Sequence, residues 1–451
     1  MNIINHLLTG LNQNGALSGI RTTAFQPGQI LNGKIVKLFP NGIASLQVGS
    51  QKIVAQLEAS LEANQRYWFQ VQPGEGKVRL KVLASMAQHA RSTDTIASLV
   101  KELHIPHTAE NLKITTYLLK EQLPVNKDLV EQTARWLIES PTVEAGLEAV
   151  KQMVKRELPM SKAAFQAIAA AVNPDSLTES IETLGSLLQK EPLSKSGQQL
   201  AAIIKQLFDN EEYPVVSSAP NAEIAAGGQS QTMPNDSPLM TTSSFVNHIK
   251  ELVNRLGYTY EHEIGKFLQG ISDNPSNSDA LKPLLLDFIM EEQAGLVRDK
   301  AETILHKITG LQLLAQDFAP IEQFALQIPL PLMHKTVDLT MQWSGRKCGN
   351  GQIDSAFCRI IFYLELEHLH DTMVDMQVQN RIITLTIVNE FEDLKQIAAP
   401  YIDILKENLE ELSFTLSSVH FVKHSEHKIK KETQALSPYL TSRYSGVDIR
   451  I

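Results

Sequence analysis

The chain has 451 residues, 43% of them hydrophobic and 20% charged, with a formal net charge of −9 from 41 basic and 50 acidic side chains. At roughly 100–200 residues per domain, that length accommodates two to four folded units, and the composition excludes wholesale disorder, collagen and low-complexity scaffolds. The acidic balance argues against a surface built wholly for nucleic acid or anionic membrane, although it leaves room for local basic patches. Two cysteines, Cys348 and Cys358, rule out a disulfide framework and match no thiolate metal motif.

No apolar run approaches the roughly 18 residues that a membrane-spanning helix needs. Residues 1–24 read as a flexible N-terminus. They carry a single basic residue, Arg21, and no sustained apolar core. That pattern is not a Sec-type signal peptide, so the expected location is the cytoplasm.

From 25 to 85 the texture is β. Turn signals at Pro40-Asn41-Gly42, Gly49-Ser50 and Pro73-Gly74-Glu75-Gly76 separate short alternating runs that include Leu46, Ala55, Leu57, Val78 and Leu80. Such spacing predicts a small β-barrel of the SH3 or OB kind, since closure removes exposed edges. Seven basic residues (Lys34, Lys37, Lys52, Arg66, Lys77, Arg79, Lys81) stand against three Glu, a local charge of +4. Alternation through Tyr67-Trp68-Phe69 turns at least one ring outward, which is the raw material of a single-strand-binding face. The bland explanation is stronger: a small barrel needs large rings inside and tolerates basic residues outside, so nucleic acid is not the preferred partner.

Residues 86–212 read as a helical domain with an internal echo. LLKEQLPVNKDLV (118–130) and MVKRELPMSKAAF (153–165) align at an offset of 35. Each copy predicts a helix ending before Pro124 or Pro159 and another starting at Asn126 or Ser161, whose side chains can cap free N–H groups. Weaker relatives occur at Ile105-Pro106-His107-Thr108 and Pro192-Leu193-Ser194-Lys195, which favours a compact helical region over a long solenoid. Residues 213–241, rich in Pro, Ser and Gly, read as a flexible linker. A helical segment, 242–318, follows, with Phe245, Ile249, Leu252, Val253 and Leu256 on one stripe.

Residues 319–425 read as strands with one buried face, carried by Phe324/Leu326/Ile328, Val337/Leu339/Met341/Trp343, Val374/Met376/Val378 and Ile383/Leu385/Ile387, with Gln379-Asn380 as a hairpin turn. A helix follows, capped by Asn389 with Glu392 at its third position, and Ile397, Tyr401, Ile404, Leu405, Leu409 and Leu412 share a face. Pro400 must kink or split it. A closing strand, Phe414 to Val422, completes an antiparallel sheet crossed by one helix. Residues 426–451 read as a tail, and with Lys423 its Lys428, Lys430 and Lys431 form a run able to steer an acidic partner. The fold class expected for the whole is multidomain α+β.

The stretch 364–421, running strand, hairpin, Pro-interrupted helix and closing strand, resembles the carboxy-terminal domain of bacterial flagellar hook-length control proteins. Leu364, Leu369, Val374, Met376, Ile383, Leu385 and Ile387 occupy its apolar positions, Pro400 its helix proline and Val419 its closing strand. The resemblance implies docking on the cytosolic domain of a type III export gate to help switch export substrates. It also implies passage of the protein itself through the flagellar apparatus.

Metal-ligand side chains cluster at Glu365, Glu367, His368 and His370, and again at His420, His424 and His427, with His368 and His370 expected on one strand face. Spacing alone supplies neither tetrahedral geometry nor supporting partners, so no metal is assigned. The glycine-rich stretch around Cys348, Gly345 to Gly351, lacks the ending of a phosphate-binding loop and reads as a hairpin connection. With no G-x-S-x-G, H-E-x-x-H or G-x-G-x-x-G, the expectation is a non-enzyme without cofactor, catalytic residues or small-molecule substrate.

Overall fold

A computed structural model describes residues 25–48, 51–59, 61–73, 78–85, 100–190, 194–208, 242–271, 279–315, 317–318, 321–332, 335–347 and 353–423. They divide into two compact units, whose described parts lie within 25–169 and 170–423.

The first unit opens with five strands: β1 (Ile30–Leu38), β2 (Ile43–Val48), β3 (Gln51–Leu57), β4 (Arg66–Gln72) and β5 (Val78–Ser85). They close into a barrel in the order β1-β2-β3-β5-β4, with β1 pairing both β2 and β4 and only β3–β5 parallel. That order is the OB arrangement rather than the SH3 one. The core takes Leu31, Ile35, Leu46, Ala55, Tyr67, Phe69, Val71 and Leu80 from alternate strand positions. At the β1–β2 turn Asn41 and Gly42 both have positive φ, 63° and 70°, as a tight hairpin of matching twist requires. A Cβ on Gly42 would lie 2.9 Å from the Leu57 carbonyl oxygen, so glycine is needed there twice over.

The helices of this unit are α1 (Ala109–Lys120), α2 (Lys127–Leu137), α3 (Val143–Lys155) and the greater part of α4 (Lys162–Val172), whose last residues, from Ala170, belong to the second. The echo at offset 35 is a repeated helix-end device. Gln122 and Glu157 adopt left-handed φ of 59° and 51°. The next residues, Leu123 and Leu158, donate to the carbonyls of Leu118 and Met153, each at 2.9 Å, which is a Schellman closure. The proline then blocks continuation. Asn126 accepts from the Leu129 amide at 2.7 Å and Ser161 from the Ala164 amide at 3.2 Å. The weaker copies keep the cap: Thr108 accepts from Asn111 and Ser194 from Gly197. Helices α1, α2 and α3 pack on one another, and Ile30 and Val125 exchange backbone hydrogen bonds of 2.7 and 2.8 Å that tie the barrel to the α1–α2 connection.

The second unit contains α5 (Leu177–Leu188), α6 (Lys195–Phe208), α7 (Thr242–Leu256), α8 (Tyr260–Leu268), α9 (Leu281–Glu291) and α10 (Leu296–Leu314), then strands β6 (Asp317–Phe318), β7 (Ile321–Leu332), β8 (Lys335–Lys347), β9 (Ile353–Leu366), β10 (His370–Gln379) and β11 (Ile382–Asn389), helix α11 (Leu394–Glu411) and β12 (Thr415–Lys423). The seven strands form one sheet in the order β12-β11-β10-β9-β8-β7-β6. Helix α6 packs on α9, α5 packs on α10, and both α5 and α10 lie against β7. Of the sequence stripe on α7, Leu252, Val253 and Leu256 are buried. The segment 213–241 lies outside the described residues, and helices α6 and α7 on either side of it pack within the same unit. The division by contacts therefore falls at 169/170, inside the 86–212 helical stretch.

Three details differ from the sequence reading. Strand β12 pairs parallel to β11, because a helix carries the chain back to the same end of the sheet before the next strand begins. The β10–β11 turn is Asn380-Arg381, one residue later than expected, with φ of 51° and 64°. Asn389 is not the cap of α11. It ends β11, 2% exposed, and its amide donates to the Leu369 carbonyl (2.6 Å), the Asp371 carbonyl (3.3 Å) and Thr372 Oγ1 (2.8 Å). Its Oδ1 accepts from the Phe391 amide at 2.7 Å. Asn389 thus binds the β9–β10 turn to the entry of α11.

Candidate functional site

Two surfaces collect the residues that the sequence singles out, one on each unit.

On the barrel, strand register builds a transverse row. Arg66 pairs with Lys34, Lys34 with Gln47, and Gln47 with Lys52. Their neighbours Ile35, Leu46 and Tyr67 point into the core, so alternation turns the row outward. Arg66 donates to Asn32 Oδ1 at 3.1 Å and Gln122 Oε1 at 3.2 Å; of the other two charges in the row, Lys52 is exposed and Lys34 half-buried. The five strands contain six basic residues and no carboxylate. Lys81 is neutralised from outside the barrel by Glu102 at 2.7 Å, and that hydrogen bond holds the Glu102 carboxyl below its usual range.

The rings of Tyr67-Trp68-Phe69 offer no open stacking platform. Tyr67 and Phe69 face the core, and Trp68, on the other side of β4, is itself only 4% exposed. The available ring is Phe39, 42% exposed at the end of β1, with the Lys37 ammonium 5.4 Å from its centroid. Val36, Leu38 and Val54 are also exposed. Phe39 was detectable as the residue just before Pro40-Asn41-Gly42, where a strand has already left its packed stretch.

On the second unit, α11 crosses from β11 to β12 as a single helix with Pro400 inside it. Lacking an N–H, Pro400 cannot bond the Gln396 carbonyl. Ile402 and Leu409 pack on the sheet residues Cys358, Ile360, Val378, Leu385 and Leu416. The stripe prominent in the sequence lies mostly outside that contact. Ile397, Tyr401, Leu405 and Leu412 are 52%, 51%, 36% and 58% exposed, and no residue of α11 is buried. On the other face of the sheet, Arg359 clasps Asp375 through two hydrogen bonds of 2.8 Å.

The metal-ligand candidates do not share a strand face. His368 sits in the β9–β10 turn, whereas His370 opens β10 with φ of 52°. His420 Nε2 is 3.0 Å from Ser418 Oγ, and His424 and His427 lie outside the described residues. Among the described residues no three such side chains converge on a point that could hold an ion. Cys358 is buried in the sheet core, and burial pushes its thiol up to about 11. Cys348 lies outside the described residues. Lys423, at the end of β12, pairs with Glu392 at 2.6 Å. No helix among the described residues is long and apolar enough to cross a membrane.

The geometry therefore defines an OB-type barrel whose strands carry basic side chains and no carboxylate, and an α+β sheet crossed by an incompletely covered helix. The TP0910 S1-like domain family matches residues 3–81, which include β1 to β4 and the first part of β5. The uncharacterized protein YlqG of Bacillus subtilis (strain 168) is similar, 22% identical with 94% of each chain covered. No solved structure matches the chain.

Proposed function

We propose that the protein is a non-enzymatic interaction factor of the flagellar hook-length-control type, whose C-terminal unit docks on the cytosolic domain of an export-gate-like protein and influences which substrates are exported. The observation that carries this reading is the run β9–β10–β11–α11–β12: hairpin, crossover helix with an internal proline, and closing strand follow the order that the resemblance implies. Helix α11 also keeps apolar side chains free for a protein partner. Co-purification of the full chain with the gate's cytosolic domain at low salt tests the reading, and absence of a complex removes it. Export of the protein itself belongs to the same reading. Detection in the culture supernatant of a flagellated strain, but not of an export mutant, supports it.

A second reading, single-stranded nucleic-acid binding through the barrel, is favoured by the S1-like match and by strands bearing six cations and no carboxylate. Phosphate contacts by Lys34 and Lys52, with a base stacked on Phe39, would make affinity fall steeply with salt. Titration of the full chain with a fluorescent oligonucleotide at low and high salt decides it, and no binding at low salt ends it.

A further inference from the structure

We infer that Arg66 anchors a backbone phosphate of a single-stranded nucleic acid, and that Gln122, from the helical region beside the barrel, is the positioning residue that presents it. This rests on the single-strand reading above and names the residues that carry it.

A guanidinium offers five N–H donors in a planar fork. Nη1 of Arg66 donates to Asn32 Oδ1 at 3.1 Å and to Gln122 Oε1 at 3.2 Å, which uses both of its hydrogens. Nε and Nη2 have no partner among the described residues, and Arg66 is exposed. Those two nitrogens form the edge that grips two oxygens of one phosphate side by side. The partners on the held edge are both neutral amides. They orient the guanidinium without cancelling its charge, as a carboxylate in either place would. The acidic side chains close by in sequence are engaged elsewhere: Glu121 pairs with Lys151 at 3.1 Å, and Glu62 accepts from Gln65 at 3.2 Å.

Gln122 is held in place by the helix-end device of the internal echo. Its φ is 59°, and its amide donates to the Leu119 carbonyl at 3.0 Å. Three residues on, Val125 is bonded to Ile30 of the barrel. The side chain therefore reaches Arg66 from a fixed backbone, and it lies outside the S1-like match, which ends at 81. Register supplies the rest of the path. Lys34 stands opposite Arg66, and Lys52 lies two strands further on, so the row spans roughly 14 Å at about 4.8 Å per strand. The exposed ring of Phe39, on the same strand as Lys34, favours a ligand with bases over an acidic peptide.

The test titrates the full chain with a fluorescent thymidine homo-oligonucleotide across a salt series. Arg66→Gln should weaken binding about tenfold or more, the scale of a lost charge-assisted contact, and lower the log–log salt slope by about 0.7. Arg66→Lys should keep the slope yet lose affinity, because an ammonium has no fork. Gln122→Glu holds Arg66 at least as firmly, so the urea midpoint should not fall, but it neutralises the charge, so binding should drop about tenfold. Glutamate suits this backbone: the second copy of the echo has Glu157 in the same place, with φ of 51°. If the wild type binds and Arg66→Gln binds within about twofold of it, the anchor is overturned and the single-strand reading survives. If Arg66→Gln weakens binding and Gln122→Glu does not, the role of Gln122 is overturned. If the wild type does not bind at low salt, both the anchor and the reading fall. Displacement of the oligonucleotide by polyglutamate as readily as by unlabelled oligonucleotide overturns phosphate as the ligand in favour of an acidic protein.

Discussion

Asn389 offers the sharpest test of the C-terminal unit's architecture. Its buried amide holds Leu369 O, Asp371 O and Thr372 Oγ1, while its oxygen receives the Phe391 N–H. Asn389→Ala removes all four contacts from a site that is 2% exposed. A buried polar group left without a partner costs about 1–3 kcal/mol. The Leu369 carbonyl and the Phe391 amide have the shortest bonds to lose, so a local loss of about 2–4 kcal/mol is expected. Asn389→Asp keeps the acceptor for Phe391 but turns a carboxylate oxygen toward two carbonyls, and should be at least as damaging. Hydrogen exchange followed by mass spectrometry on β10 and β11 reads the effect directly, because local opening free energy sets the exchange rate. At 1.36 kcal/mol per factor of ten, the expected acceleration is roughly 30-fold to 900-fold. Exchange within threefold of wild type in both variants would refute the role given to Asn389.

Three further outcomes follow from the structure. Gly185→Ala places a Cβ 2.8 Å from Ile204 Cγ2, where α5 packs on α6; overpacking of this kind costs about 1–3 kcal/mol, visible as a lowered denaturation midpoint, and a midpoint equal to wild type would contradict the close approach. Lys307 is buried against the Asn173 and Asp175 carbonyls, and burial pushes its pKa down from 10.5 to about 8. The unfolded chain then binds the extra proton between those values, so this unit should gain stability as pH rises from about 8 to 10.5 and lose it as pH falls through that window. Urea midpoints of wild type and Lys307→Met across the window check this, since the methionine variant should show the shallower slope. If the barrel binds single strands, Lys34→Gln/Lys52→Gln should lower the salt dependence by about 0.7 in log–log slope per lost phosphate contact, and an unchanged slope would place the contacts elsewhere.

Much of the fold was legible because its signals are local. Pro124 and Pro159 with Asn126 and Ser161 announce helix ends through chemistry confined to a few residues, and the caps form where those residues stand. Alternation identified the residues that face the sheet core in β10 and β11, such as Val378, Ile383 and Leu385, for the same reason, whereas β7 is buried on both faces, Ala325 and Gln327 as well as Phe324 and Ile328. What escaped depends on distant partners. Trp68 is buried on the outer side of β4, and Phe39, which the sequence reading did not single out, is exposed, because burial on the outside of a barrel is decided by what packs there, which alternation cannot report. Asn389 had the sequence context of a cap, yet the β9–β10 turn supplies better acceptors. The apolar stripe of α11 was visible, but the sequence could not tell a core face from a free one. The crossover geometry between parallel β11 and β12 selects Ile402 and Leu409 for the sheet and leaves Ile397, Tyr401 and Leu405 outside.

The account stands most directly on one measurement: isothermal titration of the full chain with the cytosolic domain of an export-gate-like protein at low ionic strength. It predicts a saturable complex that weakens as salt rises. A flat titration at low salt, with both proteins folded, would contradict it.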